Sequence, residues 1–121
     1  MLSNTLSIIE AILHKQLNND ALVTEMLEFF GHFRKNQWLY PGVLKRKFSL
    51  ELSDIYTVLI EMEQQGVLQQ YYELFCSCCQ KSMGTVELFN ELPPTFECEL
   101  CNTELPTLEN SFMIFKVLRD D

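Results

Sequence analysis

Apolar residues recur at three- and four-residue steps along the first half of the chain. Leu2, Leu6, Ile9, Leu13 and Leu17 form one stripe and predict a helix over residues 3–17, with Ser3 or Asn4 as its cap. Asn18-Asn19-Asp20 ends that helix and caps a second, over residues 21–34, carrying Leu22, Val23, Met26, Leu27, Phe29, Phe30 and Phe33. So broad an arc suggests two covered faces, one on the core and one on the first helix or a partner. The plainer reading makes them all core. Trp38-Leu39-Tyr40 is a short extended stretch, because the residue before a proline avoids the α region. Pro41 suits the first turn of a short helix through about Lys47. After a turn at Phe48-Ser49-Leu50, a helix is predicted over 51–65, with Leu52, Ile55, Val58, Leu59 and Met62 inside and Gly66 as its stop.

Beyond Gly66 the pattern changes from helical to extended. Residues 67–75 are β-branched and aromatic without a breaker, which predicts one strand. A returning strand is expected at 84–90, after a Lys81-Ser82-Met83 turn. Pro93-Pro94 interrupts, and a last strand is expected at 111–118. Asp120-Asp121 reads as a frayed acidic end. The expected fold class is α+β, with a helical domain over 1–75 and a smaller β domain over 76–121.

The β domain carries the sharpest chemical signal. Cys76 and Cys79 make one CxxC, and after eighteen residues Cys98 and Cys101 make another. A tight turn between cysteines three apart aims both sulfurs at one point, so two such turns predict four thiolates on one structural zinc ion. Iron held by the same thiolates is the alternative. A disulfide framework would leave one of five cysteines odd, and no βαβ unit supports a thioredoxin-type pair. Cys78 is expected to be the spare thiol. Four thiolates close the coordination shell and leave no position for a hydrolytic water.

The charge alters the choice of partner. At 121 residues the net charge is −8, which opposes non-specific nucleic-acid binding, and a four-thiolate zinc site adds about −2 more. Yet five of the nine basic residues, Arg34, Lys35, Lys45, Arg46 and Lys47, lie within 34–47. No apolar run reaches the ~18 residues that a membrane span requires. The start lacks a basic region and cleavage site, so no signal peptide and a cytoplasmic location are expected. His14 and His32 show no cysteine or carboxylate at ligand spacing, and there is no phosphate loop or nucleophile motif, so no enzyme activity is expected.

The order of elements over 21–75 resembles a winged helix-turn-helix, and residues 76–118 resemble a zinc ribbon. Together they resemble the N-terminal region of the TFIIE alpha subunit and its archaeal counterpart, TFE. The resemblance rests on element order and on the two CxxC pairs. It implies action by binding polymerase and promoter rather than by catalysis. In a helix-turn-helix the second helix enters the major groove. Here that helix holds no Lys or Arg and carries Glu51, Asp54, Glu61 and Glu63. If DNA is bound, Lys45, Arg46 and Lys47 are the expected phosphate contacts and Ser53, Tyr56 and Thr57 the expected base contacts. The charge favours the other class: a non-catalytic cytosolic adaptor that binds a protein partner, with a homodimer through residues 1–34 expected. A DNA-binding transcriptional regulator is the alternative.

Overall fold

Helices α1 (Ser3–Gln16) and α2 (Asp20–Gly31) are parted by a break that Asn19 makes. Its side chain accepts the Leu22 N–H at 3.1 Å, pairing one of the donors left open at a helix start. Neither Ser3 nor Asn4 caps α1. Leu2 holds the capping position with no side-chain bond. The N–H groups of Leu2 and Thr5 donate instead to the carbonyl oxygens of Asp120 and Asp121, at 2.7 and 2.8 Å. The Thr5 hydroxyl donates to Asp121 Oδ1 at 2.9 Å. The end expected to fray is therefore held on the first turn of α1, where unpaired donors and the helix dipole favour an acidic partner.

The computed structural model describes residues 1–86 and 93–121. The expected stripe is buried at Ile9, Leu13 and Leu17 and half-buried at Leu6, the face also takes in Thr5 and Ile12, and only Leu2, 70% exposed, falls outside it. This face packs against α2 and α4 (Leu52–Gln64). On α2 only Val23, Met26 and Phe30 are buried, so the wide apolar arc does divide: Phe29 and Phe33 are half-buried. Helix α3 (Pro41–Phe48) opens on its proline and packs on α4. Ile55, Val58, Leu59 and Met62 of α4 are buried, whereas Leu52, expected inside, opens the helix and stays exposed.

Gly66 stops α4 by a Schellman arrangement. The Val67 N–H donates to Met62 O and the Gly66 N–H to Glu63 O, both at 2.9 Å, with Gly66 at φ +78°. Strands β1 (Trp38–Leu39), β2 (Leu68–Cys76), β3 (Lys81–Val86) and β6 (Ser111–Val117) form an antiparallel sheet in the order β1-β6-β2-β3. Strands β4 (Thr95–Glu97) and β5 (Glu104–Pro106) form a separate two-stranded sheet. The fold is α+β. Lys81-Ser82-Met83, expected as a turn, is the start of β3; the chain reverses just before it, between Cys76 and Lys81. Residues 87–90 of the expected return strand lie outside the described residues.

The chain divides into two compact units, one of residues 1–69 with 115–121 and one of residues 70–114. The sequence reading set a single boundary at 75/76 and kept the last strand with the cysteines. Phe115 and Val117 are instead buried in the helical unit, where Phe115 pairs with Leu39 of β1.

Candidate metal centre

Each cysteine pair is shaped by the same local turn. Cys76 ends β2, and Cys98 follows directly on β4. Within each pair the second cysteine's N–H donates to the first cysteine's Sγ, at 3.4 Å for Cys79 and 3.5 Å for Cys101. The next residue donates its N–H to the first cysteine's carbonyl, Gln80 at 2.7 Å and Asn102 at 2.8 Å. Closing so tight a loop puts both in the left-handed region, at φ +57° and +56°. Asn tolerates that region, while Gln80 incurs a cost of about 1–2 kcal/mol that the knuckle's bonds offset. In the second turn the Leu100 N–H also donates to Cys98 Sγ, at 3.4 Å.

The two turns bring their sulfurs together. Cys76 Sγ lies 3.6 Å from Cys101 Sγ, and Cys79 Sγ lies 3.5 Å from Cys98 Sγ. All four sulfurs lie within 4.8 Å of one another. Thiolates bound at about 2.3 Å on a tetrahedron stand about 3.8 Å apart, so the donor set fits one metal ion with little adjustment. The same distances exclude disulfides, whose sulfurs are bonded at about 2.05 Å. Cys78 is exposed and lies outside the cluster.

The cluster is also the core of its unit. Cys76, Cys98 and Leu105 are buried there, with Cys79, Met83, Phe96 and Cys101 packed on them. An apolar core this small is one that a metal ion held by the four sulfurs would staple. The two partly exposed thiols differ in acidity. Burial, reinforced by the Cys76 and Cys98 sulfurs, pushes the Cys79 thiol up to about 12. The Cys101 thiol donates to Thr103 Oγ1 at 3.1 Å; once Cys101 is deprotonated the hydroxyl can turn and donate to it, and with the Thr103 backbone N–H it pulls Cys101 down to about 6. Thr103 is a supporting residue the sequence reading missed; the only signal was a hydroxyl two places after the last cysteine.

The six candidate nucleic-acid contacts lie on two helices, three on α3 and three on α4. Lys45, Arg46 and Lys47 are all exposed in the last turn of α3, but the Lys47 ammonium lies 5.1 Å from the Phe29 ring centroid. Ser53 is exposed, and its carbonyl accepts the Thr57 hydroxyl at 2.8 Å. Tyr56 and Thr57 line a groove with Lys15 and Gln16 of α1. Lys15 and Gln16 both donate to Glu61, at 2.7 and 2.8 Å, and hold its carboxyl below the usual range, Lys15 first. His14, read as lacking acidic neighbours, has two: Glu10 at 3.6 Å and Asp20 at 3.8 Å, all three exposed. No described helix is long and apolar enough to cross a membrane. Comparison of the chain with protein-family models, with curated proteins and with solved structures returned no match.

Proposed function

We propose that the chain is a non-catalytic cytosolic adaptor, a winged-helix-like helical unit joined to a ribbon held by one structural zinc ion. Zinc is the preferred metal because four thiolates in a closed tetrahedral set suit it and leave no open coordination position for substrate. Bound there by Cys76, Cys79, Cys98 and Cys101, the ion would supply folding energy rather than reactivity. The observation that carries the adaptor reading is the placement of the candidate DNA contacts. Tyr56 and Thr57 line a groove shared with α1, Lys47 sits on Phe29, and α4 offers no base of its own. Phosphate binding depends on several cations acting together, and of the three candidate phosphate contacts Lys47 is the one already engaged, by the Phe29 ring.

Fluorescence anisotropy with a mixed-sequence duplex tests this. The expected affinity at ~150 mM salt is no tighter than the non-specific range of about 10⁻⁴ to 10⁻⁶ M. A selected duplex bound in the nanomolar range, and lost on joint replacement of Lys45, Arg46 and Lys47 by Glu, would establish the regulator instead. Lys45 and Arg46, exposed side by side at the end of α3, are what keep that second reading alive.

A further inference from the structure

The outer face of α2 forms a groove that the core does not use. Phe29 is its hub. The Phe29 ring meets Phe33 at 5.2 Å and Phe48 at 5.6 Å between centroids, the latter edge-to-face. Glu25 and Glu28, on the same face of α2, and Lys47, at the end of α3, complete a cavity of about 470 Å³. His32, one turn past Glu28, is on the same wall. That volume is within the range of ligand pockets and ample for one long side chain. Of the five basic residues in 34–47, only Lys47 lines it.

Two features of this groove point to one kind of occupant. The Lys47 ammonium already rests over the Phe29 ring, so the aromatic floor holds a cation. Two carboxylates stand against that single ammonium on the walls, which leaves one without a charge partner inside the groove. A planar guanidinium matches both features, since it stacks on aromatic faces and pairs with carboxylates through its fork of donors. We propose that the groove of Phe29, Phe33 and Phe48 receives an arginine side chain from a protein partner, with Glu25 and Glu28 as its counter-charges. Lys47 is then an internal competitor that occupies the ring until the arginine displaces it. This rests on the adaptor reading and names the chemistry of the partner's contact.

The test is a titration of the full chain with N-acetyl-arginine amide, followed through the phenylalanine ring signals by NMR, with N-acetyl-norleucine amide as the uncharged control. The expected result is saturable shifts of Phe29, Phe33 and Phe48 in the millimolar range with the arginine probe alone. Lys47→Ala should tighten binding about two- to five-fold by removing the competitor. The double change Glu25→Gln, Glu28→Gln should weaken it by at least that factor. Equal shifts with norleucine amide, no saturation, or weaker binding in Lys47→Ala would each overturn the proposal. A protein partner that still binds the Glu25→Gln, Glu28→Gln chain at full strength would overturn the groove while leaving the adaptor reading standing. Nanomolar duplex binding would remove the adaptor reading without touching a saturable arginine response.

Discussion

Cys76 and Cys101 lie 25 residues apart in the chain, yet their sulfurs approach to 3.6 Å. Neither knuckle alone makes a four-donor site, so if the cluster holds a metal ion, its binding and the folding of residues 70–114 are expected to be one event. Metal analysis of protein purified without chelator should give one zinc per chain. Chelation should release it and abolish the amide protection of residues 70–114, while α1 and α4 stay protected. Cys98→Ser should lose the metal and Cys78→Ser should keep it. Metal content halved by Cys78→Ser would show that the exposed thiol is a ligand.

Thr103 stands beside the more acidic of the two partly exposed thiols. Metal requires all four thiols deprotonated, so binding fails as pH falls. Cys101, held at about 6, gives up its proton readily, whereas Cys79, at about 12, must have its proton displaced by the metal. Thr103→Val removes the donor that favours the Cys101 thiolate. The pH midpoint of metal release, followed with a zinc-sensitive dye, should move upward. Affinity at neutral pH should fall about ten-fold or more, the usual cost of losing an outer-shell hydrogen bond. An unmoved midpoint would show that the backbone donors alone hold the thiolate.

Gly66 offers a clean measurement of backbone strain. A Cβ built there meets nothing within 4 Å, so Gly66→Ala changes only the cost of the left-handed conformation. Urea unfolding of the helical unit should show a loss of about 1–2 kcal/mol. Gly66→Asn, which tolerates that region better, should lose less. Equal losses would mean that something other than φ limits the position.

The tie between Asp121 and α1 should be visible in acid. The Arg119 guanidinium, and then the Thr5 hydroxyl, hold the Asp121 carboxyl at about 2, below its ordinary 3.8. A depressed carboxyl stabilises the folded state above its ordinary pKa, and that contribution is lost as pH falls from about 4 to about 2. Asp121→Asn should therefore lower stability at pH 7 and flatten the acid limb of the unfolding curve over that window. A limb of unchanged steepness would mean the carboxylate gains nothing from these partners.

Helix existence and the four clustered sulfurs were legible because each has a local signature. Gly66 and Asn19 act as stop and cap where the sequence places them, and the CxxC spacing alone singles out the four sulfurs. The reversal into β3 was illegible because Gln80, not a glycine, takes the left-handed turn, held there by the Cys76 carbonyl. Strands β4 and β5 are too short to show a period. The stripe of α1 was legible at Ile9, Leu13 and Leu17, but the buried Thr5 was not, since its partner Asp121 lies 116 residues away. Leu2 and Leu52 looked internal by type but sit at helix starts, outside the packed faces.

The buried Phe115 and Val117 belong to the helical unit, although the whole of 70–114 precedes them in the chain. On the ribosome that order matters. The four helices can emerge early, but their sheet lacks β6 until the intervening segment has been translated. At about 5–20 residues per second that wait is roughly 2–9 s. During it the helical unit lacks the buried Phe115 and Val117, and all five cysteines are synthesised before those residues arrive. Any metal ion that the four sulfurs take up would therefore meet this chain before its helical unit is complete.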